Sequence, residues 1–183
     1  MSEKSELRYK YKIKRKYFQH SQREVADGAI CDAVLAALGN YDGFFVYYSL
    51  GAEADTRTII DKLIALDKRV YLPRVTGSEI IPVRYFGDET ALTKNKFGVL
   101  EPSGGEAKEK IDVCIAPLLA INHSGYRLGY GGGYYDRFFA SHGGVLKVGI
   151  GYSLQITEDL TPDSWDEPLD KFICERGIID FGE

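Results

Sequence analysis

Apolar positions along the chain follow a helical rhythm at first and fall into short apolar runs after it. From about Lys4 to Leu38, the residues Leu7, Tyr11, Phe18, Val25 and Ala29 recur at steps of four and seven, which places them on one helical stripe. Gly39-Asn40 closes that pattern as a stop signal. "GFFVYYSL" (Gly43–Leu50) is continuously apolar and aromatic, too short for a core helix, and predicts a buried strand. Asp55 and Thr56 stand where they can cap a helix through roughly Lys68, with Ile59, Ile60, Leu63, Ile64 and Leu66 as its apolar side. "RVYLPRV" (Arg69–Val75) predicts a second strand. "EIIPVRYF" (Glu79–Phe86) predicts a third, which Pro82 directs to an edge or a bulge.

Further along, "IDVCIAPLLAI" (Ile111–Ile121) predicts a buried parallel strand running into a loop. "YYDRFFASH" predicts a helix from about Tyr134, "VLKVGIGYS" another strand, and "KFICERGIID" (Lys171–Asp180) a terminal one. Strands alternating with helical patterns imply an α/β sheet with helices on both faces. Ligands of such sheets gather at the carboxyl ends of the strands. Two loops have that position here: "GAEADT" (Gly51–Thr56) and the glycine-rich stretch after Ile121.

Composition narrows the class. At 183 residues the chain suits one substantial core rather than two domains. The first residues carry charges but no uninterrupted apolar segment, so no signal peptide is expected, and no apolar run is long enough to span a bilayer. Cys31, Cys114 and Cys174 are far apart in apolar surroundings, which predicts buried thiols in a reducing cytoplasm. Net charge is −4, but residues 1–23 hold eight Lys/Arg against two Glu, leaving an acidic body. A basic end of this kind suits nucleic acid, anionic lipid or a phosphate-bearing small ligand, or is simply a solvated helix face.

The most distinctive stretch is "RLGYGGGYYDRFF" (Arg127–Phe139). Gly129, Gly131, Gly132 and Gly133 accept positive φ without a Cβ penalty and admit a ligand close to the backbone. Successive N–H groups in such a turn form an anion nest, and a helix starting at Tyr134 adds its positive end. The stretch matches neither G-x-G-x-x-G nor the P-loop pattern, so a purely structural glycine turn stays open beside phosphate binding. Asp136 either favours the helix dipole or holds Mg2+ against a polyphosphate, since Mg2+ binds through one or two carboxylates plus phosphate oxygens. Arg127 and Arg137 are candidates to offset phosphate charge, or are surface arginines. Glu53 and Asp55 are candidate substrate ligands, Asp55 equally a helix cap. Lys4 and Arg8 share a helical face. Asp163, Asp166, Glu167 and Asp170 cluster around Trp165, while His20, His123 and His142 show no metal spacing.

Taken together, "PLLA" followed by "GYRLGYGGGYYDR" resembles the signature of the 5-formyltetrahydrofolate cyclo-ligase family (5,10-methenyltetrahydrofolate synthetase). "KSELR" (Lys4–Arg8) resembles its basic ATP-contacting segment, "AEADTRTII" its folate-binding loop, and "FGVLEP", "WDEPLD" and "CERGII" further motifs, so nearly the whole chain is covered. The resemblance implies a single-domain Rossmann-like three-layer sandwich over residues 1–183, with the basic helix packed on the core. It implies a cytoplasmic enzyme, acting as a monomer without nucleic-acid or membrane partners. Its reaction would be the MgATP-dependent closure of 5-formyltetrahydrofolate to 5,10-methenyltetrahydrofolate through an iminophosphate, releasing ADP and phosphate.

Carried over by position, Lys4, Ser5, Glu6, Leu7, Arg8 and the run Arg127, Leu128, Gly129, Tyr130, Gly131, Gly132, Gly133, Tyr134, Tyr135 would hold ATP. Leu50, Glu53 and Asp55 would line the folate pocket. Arg127 and the segment Tyr130–Tyr134 would face the reacting formyl group, and Asp136 and Asp166 would bind Mg2+. Two positions depart from the family's usual pattern. Ile121-Asn122 stands where Phe-Asp is common, and Trp165 where His commonly precedes Asp166. These departures motivate the alternative of a non-catalytic folate- or nucleotide-binding regulator on the same fold.

Overall fold

The computed structural model describes residues 2–107 and 109–182. Its centre is a seven-stranded sheet in the order β11-β10-β9-β6-β1-β2-β3. The strands are β1 (Gly43–Val46), β2 (Arg69–Thr76), β3 (Glu79–Tyr85), β6 (Val113–Ala116), β9 (Leu146–Ile150), β10 (Lys171–Cys174) and β11 (Gly177–Asp180). β2, β1, β6, β9 and β10 run parallel, and β3 and β11 close the two edges antiparallel. Two small hairpins stand outside it: β4 (Leu92–Lys94) with β5 (Leu100–Pro102), and β7 (Ala120–Ile121) with β8 (Arg127–Leu128).

Alternation along the central strands divides the core into two faces. Phe44 and Val46 of β1, and Val113 and Ile115 of β6, join one cluster with α2 (His20–Leu38) and α3 (Arg57–Ala65). Phe45, Cys114 and Ala116 join the other, under Phe138 and Phe139 of α4 (Tyr134–Ser141). The expected α/β sheet with helices on both faces is therefore observed, and all three cysteines are buried free thiols. Pro82 lies on the edge strand β3 as its sequence demands. It faces Pro73 where β2 has run past its pairing with β1, so neither missing N–H interrupts a central ladder.

Three sequence expectations are corrected. The helix expected over 4–38 is two helices, α1 (Glu3–Lys16) and α2, with a corner at 17–19. Arg23 of α2 donates to the carbonyls of Arg15 and Phe18, satisfying acceptors that a continuous helix would have paired internally. The corner resets the helical phase. Val25 is 75% exposed while Ala26, Ile30, Cys31, Val34 and Leu38 are buried, so the single stripe does not hold beyond Phe18, which still packs against the core. The strand expected over Gly43–Leu50 ends at Val46 and continues as a buried loop. "KFICERGIID" forms two strands, because Gly177, at φ 128°, turns the chain back on itself.

α1 lies on the β7–β8 hairpin. Leu7 and Tyr11 pack with Leu119, Ala120, Leu128 and Leu160 in a third, smaller cluster. This brings the basic N-terminal helix onto the hairpin that leads into the glycine loop.

Candidate active site

The sheet order places β1 between β2 and β6, so the chain leaves β1 toward one side and β6 toward the other. The crevice at such a reversal is where open α/β sheets bind ligands. The loop after β1 and the glycine loop that follows β6, β7 and β8 meet there. The Tyr130 hydroxyl donates to the Glu53 carboxylate and so joins them directly.

Each loop is locked by its own polar groups. In the first, Ser49 and Thr56 exchange hydrogen bonds between backbone N–H and hydroxyl groups, at 2.8 and 3.3 Å. Leu50 N donates to Glu53 at 2.7 Å. Asp55 accepts from the N–H groups of Arg57 and Thr58 at 3.0 and 3.3 Å, so it caps α3. In the second, Gly131 and Gly133 adopt φ of 98° and 65°, which L side chains rarely reach. A Cβ on Gly132 would lie 2.7 Å from the Tyr134 ring. Arg137 ties this loop to the β2–β3 turn by donating to the carbonyls of Ser78 and Gly132 at 2.8 Å each.

α1 adds cations. Arg8 Nε donates to the Gly129 carbonyl at 2.9 Å, and its guanidinium lies 3.5 Å from where a Gly131 Cβ would stand. Lys4 Nζ reaches Asp163 and Asp166 at 2.6 Å each. Burial works against the Lys4 charge, but the two carboxylates outweigh it and raise its pKa. Of the rest of "KSELR", Ser5 is partly buried, Glu6 faces solvent and Leu7 belongs to the core.

Asp136 has a different partner. Its carboxylate pairs with Arg127 at 3.1 Å and accepts from Glu167 N at 3.4 Å. The Arg127 side chain is 4% exposed and its guanidinium lies over Phe139, 5.1 Å from the ring centre. Arg127 therefore reaches the site through Asp136, from behind. Leu128 is core and Tyr135 packs against Phe45, so these two contribute backbone and packing. Leu50 is 48% exposed at the loop tip.

Two polar groups, Arg15 buried and Asp27 half-buried, brace these loops without having been singled out in the sequence. Arg15, 6% exposed, donates to Leu118 O at 3.2 Å and to the Tyr130 hydroxyl at 2.7 Å. Burial and the facing Glu53 carboxylate push the Tyr130 phenol's pKa up, so it stays a neutral donor. The available signal was position: Leu7, Tyr11 and Arg15 step by four along one buried face. Asp27 of α2 accepts from Asp55 N at 3.1 Å and from the Tyr152 hydroxyl at 2.9 Å, and burial raises its pKa. Nothing in the local sequence marks it. Asn122 closes a tight turn by accepting from Ser124 N and Tyr126 N at 3.0 Å each.

Fold and site thus define an α/β protein with a glycine loop and a carboxylate-bearing loop facing across a sheet reversal, the layout of a phosphate- and small-molecule-binding enzyme. The 5-formyltetrahydrofolate cyclo-ligase family profile matches residues 1–175, and the chain belongs to that family. A 5-formyltetrahydrofolate cyclo-ligase of Haemophilus influenzae is 34% identical over 133 residues, covering 68% of this chain and 71% of its own. The Escherichia coli cyclo-ligase is 33% identical over 133 residues, covering 68% of this chain and 72% of its own. The solved 5,10-methenyltetrahydrofolate synthetase of Aquifex aeolicus superposes with a TM-score of 0.84 at 31% identity, covering 98% of this chain and 93% of that one.

Proposed function

We propose that the chain closes 5-formyltetrahydrofolate to 5,10-methenyltetrahydrofolate at the expense of ATP, working as one domain over residues 1–183. The formyl oxygen takes the terminal phosphoryl group, with ADP leaving. Folate N10 then attacks the activated carbon of the resulting iminophosphate, and phosphate departs with the former formyl oxygen. The observation that carries this reading is the Tyr130–Glu53 bond, because it sets a phosphate-type loop against a carboxylate loop at one crevice.

The residues fit a magnesium polyphosphate. Gly131–Gly133 leave bare backbone where phosphate oxygens need N–H donors, with Arg8 alongside. Among the described residues no group of three or more His, Cys, Asp or Glu is set to hold a metal by itself. Asp136 and Asp166 are single carboxylates on neighbouring segments, which suits Mg2+ arriving with phosphate oxygens as further ligands. Bound there, Mg2+ would neutralise charge developing on the phosphoryl oxygens. Arg127 holds Asp136 in place, Lys4 holds Asp166, and Arg8 fixes the glycine loop at Gly129. Leu50, Glu53 and Asp55 would border the folate, with Arg15 keeping the Tyr130 hydroxyl turned toward Glu53. This chemistry needs positioning and charge neutralisation, and no covalent protein nucleophile. Among the described residues no helix is long and apolar enough to cross a membrane. The test is ADP release: it should require 5-formyltetrahydrofolate, and ADP release indifferent to the folate would count against the reading.

A further inference from the structure

Trp165 is the chain's only tryptophan and is 71% exposed, yet the turn that carries it is held on both sides. Before it, Asp163 N donates to the Asp166 carboxylate at 2.8 Å, and Lys4 clasps both aspartates at 2.6 Å. After it, Glu167 N donates to Asp136 at 3.4 Å, and Glu167 O accepts from Arg127 at 3.3 Å. A pinned turn that leaves its largest apolar side chain in water gives up burial energy that a buried indole would recover.

The exposed indole borders a cleft. With Gly131–Gly133, Asp136, Arg137 and Ala140 it lines a space of about 480 Å³, within the range of small-molecule sites. The lining changes character along its length. One end is bare glycine backbone and the N-terminus of α4, suited to phosphate. Ala140 stands seven residues beyond Gly133, roughly 10 Å at the helical rise of ~1.5 Å per residue. Its exposed methyl group and the indole are the apolar side chains of the lining. The polar side chains there are already engaged, Asp136 by Arg127 and Arg137 by two carbonyls. A ligand's planar part would therefore meet an aromatic face, with Arg137 Nη1 as the one guanidinium nitrogen there not already given to a carbonyl.

Building on the reading of the glycine loop as a nucleotide-phosphate site, we propose that Trp165 is the platform on which the nucleotide's base stacks. Selection at this site is then by ring area rather than by edge pattern. Adenine and guanine nucleotides bind about alike, and pyrimidine nucleotides bind more weakly.

Because Trp165 is the only tryptophan, selectively excited indole emission reports on it alone. The full chain is titrated with the magnesium complexes of ADP, GDP, CDP and tripolyphosphate, with binding measured separately by calorimetry. ADP and GDP should quench the indole with similar affinities, CDP should bind more weakly, and tripolyphosphate should bind without quenching. Trp165→Ala should weaken ADP roughly 5- to 100-fold, the range for loss of one base–aromatic stack, and leave tripolyphosphate binding unchanged. Trp165→Phe should retain most of the ADP affinity. Calorimetric ADP binding with unchanged emission, or with equal affinity in Trp165→Ala, overturns the platform alone. Absence of binding by both ADP and tripolyphosphate instead removes the nucleotide reading of the loop on which the platform rests.

Discussion

At Asp136 the structural part of a side chain can be separated from its proposed chemical one. A carboxylate in a first helical turn contributes only roughly 0.3–1 kcal/mol through the dipole. Here it also neutralises Arg127, whose side chain is 4% exposed. Asp136→Ala should therefore cost about 3 kcal/mol in denaturant unfolding, the low end for breaking a buried pair because Asp136 itself is 23% exposed. Asp136→Asn keeps an acceptor for Arg127 and should lose less stability, while metal-dependent turnover falls in both variants. Equal turnover in Asp136→Asn and the parent would leave the residue a structural role only. Asp27 allows a test by pH. Burial raises its folded pKa above the ordinary carboxylate value. The charged form is thus less favoured in the fold than in the unfolded chain, and stability linked to Asp27 is lost as pH rises through the folded pKa. Asp27→Asn can still accept from Tyr152 and Asp55 N. It should gain stability relative to the parent at neutral pH, a gain that shrinks as the solution is acidified through the carboxylate range. A gain that grows on acidification would reverse the sign and contradict the assignment.

At the scale of elements, the sequence was legible wherever one local signal decided the outcome. The strand run of β2, the edge placement of Pro82, the start of α4 at Tyr134 and the capping by Asp55 all follow from short-range chemistry. The corner between α1 and α2 was not legible, because residues 17–19 contain no Gly or Pro and the break is fixed from outside by Arg23. Likewise the pairing of Arg127 with Asp136, and of Lys4 with Asp163 and Asp166, joins segments that only the fold brings together. Arg23→Ala should cost roughly 1–3 kcal/mol by removing charged donors to Arg15 O and Phe18 O. Its effect on turnover should appear mainly as weaker apparent nucleotide affinity, because α1 carries Lys4 and Arg8. Unchanged thermal and denaturant midpoints would show that the corner is held by packing alone, for instance by Phe18 against Tyr152.

Over the whole molecule, the uneven charge resolves into internal complementarity. The basic α1 lies on the acidic body with Lys4 and Lys10 paired to Asp163, Asp166 and Asp159, and with Arg8 at the glycine loop. The basic N-terminal segment thus has partners within the fold, which argues against nucleic acid as the reason for its charge. α1, the glycine loop and the loop after β1 converge on one crevice through the chain Arg15–Tyr130–Glu53. That convergence is the central claim, since the proposed reaction needs one site both to activate a formyl group and to close the ring. Its most direct test is to mix the chain with 5-formyltetrahydrofolate, with and without MgATP, and follow methenyl-folate absorbance. Absorbance should rise only with MgATP and in step with ADP. No rise under any metal or pH tried, or a rise independent of ATP, would contradict it.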